Sequence, residues 1–158
     1  MQLTLIRHAK SSWDDPDLSD FDRPLDRRGL RDAPIMARLV ADRQQQIDVI
    51  LSSTALRATQ TAQYFADALD TPIEFFDQLY NADPRRVADL ITAREDECIA
   101  VVAHDPTLSI LARHFGPQIP HMPTCAVAWF TWSADSWRDA LRTTPTRVQY
   151  DIPLETIG

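Results

Sequence analysis

The stretch Leu3-Thr4-Leu5-Ile6-Arg7-His8-Ala9-Lys10 begins as an apolar run and ends with an imidazole between two cations. Such a run predicts a buried strand whose carboxyl end carries Arg7 and His8 to the edge of a sheet. Ligands of open α/β sheets bind beyond the carboxyl ends of the strands, so functional residues are expected there. Taken alone, however, the pair is explained more simply as a strand end that meets solvent.

Two more apolar runs end in the same way. Residues 49–53 lead to Arg57, and the run Val101-Val102-Ala103 leads directly to His104. Three strand ends would then present two arginines and two histidines together. This set suits a phosphoryl group, because the paired N–H groups of a guanidinium match the geometry of its oxygens. On its own, His104 would be better interpreted as a hydrogen-bonded core histidine.

The size and charge of the chain limit the possible functions. Its 158 residues, 44% hydrophobic and 25% charged, predict a single globular domain over residues 1–158. The net charge of −7 argues against binding to nucleic acid or to an anionic membrane. No apolar run reaches the roughly 20 residues of a membrane helix and no signal peptide is evident, so we expect a cytoplasmic protein. Cys98 and Cys125 are expected to be buried thiols.

Strands and helices are predicted to alternate along the chain. This order predicts an α/β fold: a three-layer α/β/α domain with a mostly parallel central sheet, helices on both faces and an antiparallel edge from the last two strands. The later strands are expected at 48–52, 72–76, 97–103, 126–132 and 147–152. Helices are expected at 30–42, after a cap at Ser53 or Thr54, after Asp83-Pro84, from Pro106 to Gly116, and as a short segment near Trp137.

The segment 11–25 is rich in residues that favour turns, and its apolar residues show no regular spacing. A loop of this length inside a compact domain is usually functional, and Ser12 within it is a candidate substrate contact. The alternative is an acidic surface loop anchored by Trp13 and Phe21. Both descriptions can hold together.

Three motifs occur in an order that resembles the histidine phosphatase superfamily: Arg7-His8-Ala9, then Ser53-Thr54-Ala55-Leu56-Arg57-Ala58-Thr59-Gln60-Thr61-Ala62, then Ala103-His104-Asp105-Pro106. Within the superfamily the chain is most similar to the small phosphohistidine phosphatases of the SixA type. The resemblance extends to Arg23-Pro24-Leu25 and Arg28-Gly29. It implies the minimal form of the phosphoglycerate mutase-like fold.

The resemblance also implies roles for these residues. His8 would be the nucleophile and would form a phosphohistidine that water hydrolyses. Arg7, Arg57 and His104 would bind the phosphoryl oxygens and stabilise the transition state, with Ser12 and Asp105 as further substrate contacts. Nearby cations would keep His8 unprotonated, whereas a bound dianion would favour the imidazolium form of His104. No metal or cofactor is expected.

The chain also departs from the family pattern. Alanine stands at positions 9 and 103, where glycine is more common, and residues 78–83 offer no clear carboxylate to protonate a leaving oxygen. Asp83 is expected to cap a helix, and Asp105 is a possible but unsupported acid. An alkoxide leaving group needs such an acid, whereas phosphohistidine can take its proton from solvent.

These features predict a phosphatase that acts on phosphohistidine in a phosphotransfer protein. The alternatives are a phosphomonoesterase for a small phosphorylated substrate and, less favoured because His8 is intact, a non-catalytic phosphate-binding module. The negative net charge predicts that recognition uses an uncharged patch around the pocket mouth, including Trp13 and Phe21.

Overall fold

The computed structural model describes residues 1–154. Within them, six strands form one sheet of order β3-β2-β4-β1-β5-β6. The strands are β1 (Gln2–Arg7), β2 (Val49–Ser53), β3 (Ile73–Phe76), β4 (Cys98–Ala103), β5 (Val127–Thr131) and β6 (Arg147–Asp151). Strands β1 to β4 are mutually parallel, while β5 is antiparallel to β1 and β6 is antiparallel to β5. The predicted α/β class, with its antiparallel edge, is therefore confirmed.

Helices cover both faces of the sheet. They are α1 (Arg27–Asp42), α2 (Leu56–Leu69), α3 (Pro84–Thr92), α4 (Thr107–Phe115) and α5 (Trp137–Ala140). Helices α1 and α2 pack on one face in a core that includes Met36 and Phe65. Helices α3, α4 and α5 pack on the other face in a second core that includes Leu108 and Trp137. None of the helices in the described part of the chain is long and apolar enough to cross a lipid bilayer.

Strand β1 contributes side chains to both cores. Leu3 and Leu5 lie in the core beneath α3 to α5, and Ile6 lies in the core beneath α1 and α2. This alternation follows from the two-residue period of a strand and explains why the whole run is apolar. Its central position fixes where Arg7 and His8 leave the sheet.

The start of α2 differs from the prediction that Ser53 or Thr54 caps it. Ala55 is the residue before the helix, and no side chain caps its first turn. Ser53 instead belongs to β2, and its hydroxyl accepts a hydrogen bond from the Ala55 amide at 3.2 Å. The Thr54 hydroxyl donates to Asp77 at 2.6 Å. The capping prediction is wrong because both hydroxyls are engaged elsewhere.

The start of α1 packs against the loop that follows β1. Asp26 caps the helix by accepting from the Gly29 amide at 2.9 Å, and the Asp26 amide donates to the Lys10 carbonyl at 3.0 Å. A Cβ atom on Gly29 would lie 2.2 Å from that same carbonyl oxygen. Glycine is therefore required here by close backbone approach.

Candidate active site

Four of the residues singled out in the sequence meet at one edge of the sheet. Arg7 ends β1, His8 follows it, Arg57 lies in the first turn of α2, and His104 follows β4. Because β1 and β4 are parallel neighbours, the His8 amide donates to the Ala103 carbonyl at 3.0 Å. The ring centroids of the two histidines are 5.1 Å apart.

The His8 ring is held in one orientation and one tautomer. Its Nδ1 lies 2.8 Å from the carbonyl oxygen of Ala9. Because a carbonyl can only accept, we assign the ring proton to Nδ1, which leaves the lone pair on Nε2. That lone pair accepts from Nε of Arg57 at 3.4 Å. The nitrogen that can act as a nucleophile thus points at the arginine predicted to bind phosphate.

The pKa of His8 is lowered to about 3. Burial of the ring is the largest cause, and the positive charges of Arg57 and Arg7 add to it, whereas the hydrogen bond with the Ala9 carbonyl raises the pKa. From the sequence, neighbouring cations were expected to keep His8 unprotonated, but burial of the ring lowers its pKa more than they do. His8 is consequently unprotonated at neutral pH.

The second histidine is also buried and neutral. Nε2 of His104 lies 2.8 Å from the hydroxyl oxygen of Ser53, and the rings of Tyr80 and His104 pack in a T-shaped arrangement, with 5.4 Å between their centroids. Burial, and after it the positive charge of Arg57, lowers the pKa of His104 to about 4. Nδ1 of His104 and Nε of Arg7 are buried without a hydrogen-bond partner among the described residues. Two residues of the pocket therefore retain unused hydrogen-bonding capacity.

Asp105 lies beside Arg7, and its carboxylate is fully engaged. Its Oδ1 accepts from the Ser109 amide at 3.1 Å, and its Oδ2 accepts from the Ser109 hydroxyl at 2.6 Å. Oδ2 also lies 3.0 Å from His121 Nε2 and 3.8 Å from Arg7 Nη1, while Arg7 donates to the Met122 carbonyl at 2.8 Å. This geometry orients Arg7 and gives no support to Asp105 as an acid.

The sequence did not indicate that the Asp20 carboxylate lies at the centre of the site. Arg57 donates to the Asp20 carbonyl at 2.6 Å and to its Oδ2 at 2.9 Å. Arg23 donates to Oδ1 through Nε at 3.2 Å and through Nη2 at 3.1 Å, and the Tyr80 hydroxyl donates to Oδ2 at 2.7 Å. Asp20 therefore occupies donors that a phosphoryl group would use.

These contacts set the ionisation of both partners. The hydrogen bond from Tyr80, followed by those from Arg57 and Arg23, holds the pKa of Asp20 well below its usual range. The same hydrogen bond raises the pKa of Tyr80. Asp20 is ionised at neutral pH and contributes a negative charge to an otherwise cationic pocket.

The pocket has a volume of about 340 Å³. Its lining comprises Arg7, His8, Lys10, Ser11, Trp13, Asp20, Arg23, Arg57, Asn81, His104, Asp105 and Thr124. Ser12, a predicted substrate contact, is not in this lining; its hydroxyl accepts from the Asp14 amide at 3.1 Å, and the neighbouring Ser11 lines the pocket instead. Nowhere in the described part of the chain do three or more His, Cys, Asp or Glu side chains form a group that could hold a metal ion.

The loop over the pocket differs in part from the predicted arrangement. Phe21 packs against the Tyr80 ring, with 5.1 Å between centroids, and so helps to hold the loop. Trp13 remains 69% exposed and stacks against Arg23, whose guanidinium carbon lies 3.5 Å from the ring centroid. Trp13 thus stabilises Arg23 by a cation–π contact rather than anchoring the loop in the core.

A family model described as the histidine phosphatase superfamily (branch 1) matches residues 3–84 of the chain. The chain belongs to the histidine phosphatase superfamily. This phosphatase is 30% identical over 139 residues to the phosphohistidine phosphatase SixA of Escherichia coli, covering 83% of this chain and 85% of SixA. It is 38% identical over 109 residues to an uncharacterised protein of Mycobacterium tuberculosis, covering 68% and 67% of the two chains.

Solved structures of SixA proteins are also similar to the phosphatase. A putative SixA from Agrobacterium tumefaciens superposes with a TM-score of 0.79 at 31% identity, covering 94% of this chain and 96% of the other. SixA in complex with tungstate superposes with a TM-score of 0.76 at 24% identity over 96% and 95% of the chains, which shows a shared fold. The chain is thus a SixA-like phosphatase.

Proposed function

We propose that this phosphatase removes the phosphoryl group from phosphohistidine in a phosphotransfer protein, through a phosphohistidine formed on His8. The observation that carries the proposal is the His8 lone pair on Nε2, held beside Arg57 Nε at 3.4 Å. The low pKa of His8, about 3, keeps that lone pair available at neutral pH. The 30% identity to SixA of Escherichia coli supports the same substrate class.

In the first step, Nε2 of His8 forms a bond to phosphorus as the bond from phosphorus to the substrate's imidazole nitrogen breaks. The departing imidazole keeps the electron pair of that bond, and a solvent proton on its distal nitrogen neutralises it. Arg7 and Arg57 donate to the phosphoryl oxygens, and His104 becomes protonated as the dianion approaches. Water then forms a bond to phosphorus as the bond from phosphorus to Nε2 of His8 breaks, the electron pair returns to His8, and the protons of the water pass to solvent or stay on the orthophosphate.

The cluster of basic side chains around His8 supports this assignment of roles. Arg7, Arg57 and His104 line the pocket together with His8. A phosphoryl group supplies several acceptor oxygens at once.

The substrate assignment depends on the carboxylates near the pocket. Asp83 caps α3 by accepting from the Arg86 amide at 3.1 Å, and Asp105 is occupied by Ser109 and His121. Asp20 is kept ionised by its donors. None of these three is prepared to protonate a leaving oxygen, which favours phosphohistidine over an alkyl phosphate.

A phosphomonoesterase for a small phosphorylated molecule is the second candidate, and Asp20 is the observation in its favour. A phosphoryl dianion bound to Arg57 would raise the pKa of the adjacent Asp20 carboxyl, which could then donate a proton to a leaving oxygen. A non-catalytic phosphate-binding module is disfavoured because such a module has no use for an oriented His8 lone pair.

The test compares three substrates at equal concentration: a phosphohistidine peptide, an aryl phosphate and phosphoserine. We expect phosphate release from the first two and nearly none from phosphoserine, because its alkoxide leaves poorly without an acid. Efficient hydrolysis of phosphoserine that is lost in Asp20→Asn, with little release from the phosphohistidine peptide, would establish the phosphomonoesterase instead.

A further inference from the structure

A second cleft of about 550 Å³ adjoins the catalytic pocket. Its lining comprises Lys10, Ser11, Ser12, Trp13, Asp14, Asp26, Arg27, Arg28 and Arg31. Lys10, Ser11 and Trp13 also line the catalytic pocket, so the two spaces share a wall. A substrate whose phosphoryl group lies at His8 can therefore extend across these shared residues into the cleft.

The cleft carries more positive than negative charge. Nε of Arg28 lies 3.4 Å from the carboxylate of the buried Asp32. Lys10 donates to the Ser11 carbonyl at 3.4 Å, and no carboxylate in the described residues pairs with Lys10 or with the exposed Arg27. In total the lining holds four basic side chains, Lys10, Arg27, Arg28 and Arg31, against two carboxylates, Asp14 and Asp26.

This concentration of cations contrasts with the net charge of −7 of the whole chain. The net charge predicted recognition through an uncharged patch, but the fold gathers cations beside the pocket. We propose, building on the function proposed above, that this cleft binds an acidic segment next to the phosphohistidine of the protein substrate. Its carboxylates pair with Arg27 and Arg28 and align the phosphoryl group with His8.

The geometry of α1 gives the proposal its structural basis. The close approach of Gly29 to the Lys10 carbonyl fixes the first turn of α1 against the loop after β1. Arg27 and Arg28 therefore project from a firmly held backbone near the pocket mouth. A cleft larger than the pocket itself suits several residues of an extended segment better than a single anion.

The test uses two synthetic phosphohistidine peptides that differ only in flanking glutamates or glutamines, together with an aryl phosphate. We expect the wild type to prefer the glutamate peptide by about three- to tenfold in kcat/KM, mainly through KM, and about 1 M salt to remove the preference. Arg27→Gln, alone and combined with Arg28→Gln, should abolish the preference while leaving aryl phosphate hydrolysis unchanged. Arg38→Gln, an exposed site on the same helix outside the cleft, is the matched control.

The outcomes separate this inference from the proposed function. Equal hydrolysis of both peptides by the wild type would overturn the acidic-segment proposal and leave phosphohistidine hydrolysis in place. A loss of preference in Arg38→Gln equal to that in Arg27→Gln would also overturn it. Hydrolysis of the aryl phosphate but of neither peptide would overturn the proposed function, and this inference with it.

Discussion

At the scale of single residues, Arg57 connects His8 to the loop that covers the pocket. Its guanidinium contacts Nε2 of His8 and both the carbonyl and the carboxylate of Asp20. Removal of one preorganised donor typically costs about 10²–10³ in turnover, so Arg57→Ala should lose roughly that much activity. Arg57→Lys should recover only part, because an ammonium cannot reproduce the bidentate fork.

Steady-state kinetics on folded variants measures this loss. A lysine variant with full activity would show that Arg57 contributes only its charge to the site. The far-ultraviolet circular dichroism of each variant provides the control for folding.

Asp20 should compete with phosphate for the arginines. Asp20→Asn keeps the shape of the side chain and removes its negative charge, so inhibition by orthophosphate should strengthen by about tenfold. Asp17→Asn, an exposed change of equal charge in the same loop, should leave inhibition unaltered. Competitive inhibition of aryl phosphate hydrolysis measures the effect. Weaker inhibition in Asp20→Asn would mean that the carboxylate positions Arg57 instead of competing.

Four candidate residues that the structure brings together at the pocket were predicted from the sequence, whereas the contacts that Asp20 and Arg23 make there were not. Arg7, His8, Arg57 and His104 could be recognised because each follows an apolar run at a strand end, where topology fixes its position. Asp20 and Arg23 lie in an irregular loop, and their positions depend on side-chain contacts within the folded structure. Nothing in a run of five aspartates between positions 14 and 22 distinguishes Asp20 from its neighbours.

At the scale of secondary-structure elements, the junction between α1 and the loop after β1 holds the pocket mouth together. In an ordinary exposed helix, a glycine-to-alanine change stabilises by up to about 1 kcal/mol. In Gly29→Ala the new Cβ would meet the Lys10 carbonyl oxygen at 2.2 Å, so the backbone must shift. We expect destabilisation of about 1–3 kcal/mol, as is typical of overpacking, together with reduced activity.

Urea unfolding measures this change in stability. Arg38→Ala, at an exposed position of the same helix, should alter the free energy of unfolding by no more than about 0.5 kcal/mol. A gain in stability for Gly29→Ala would contradict the tight approach of the two backbones.

Element boundaries were predicted less well than element types. Asp83-Pro84 marked the start of α3 correctly because Asp83 caps it locally. At α2 the local signal was misleading, since the Ser53 hydroxyl is positioned against His104 by packing between β2 and β4. A capping residue can be identified from sequence only when no distant residue competes for its side chain.

At the scale of the whole molecule, the two buried histidines make stability depend on pH. The pKa values of about 3 for His8 and about 4 for His104 lie below the usual value near 6.5. Below pH 6.5 the unfolded chain binds protons that the folded chain does not, so stability falls as the solution is acidified. At pH 5 each histidine should cost about 2 kcal/mol relative to neutral pH.

Urea unfolding at pH 7 and pH 5 checks this expectation. His8→Asn should remove about half of the loss that the histidines cause. Identical pH dependence in the wild type and the variant would show that His8 is protonated in the folded protein.

The overall architecture could be predicted because alternating apolar strands and amphipathic helices leave few ways to bury both faces of a sheet. The apolar run of β1 indicated its central, doubly covered position, and the last two strands indicated the antiparallel edge. The cationic cleft could not be predicted, because Lys10 and Arg27 are brought together only by the packing of α1 against the loop after β1.

The central claim is that His8 carries the phosphoryl group during turnover. The most direct measurement is rapid quenching with a labelled aryl phosphate, followed by mapping of the label on the protein. We expect an acid-labile, base-stable adduct on His8 in the wild type and no adduct in His8→Ala, which should also lose turnover. A His8→Ala variant with near-normal turnover, or a label on another residue, would contradict the account.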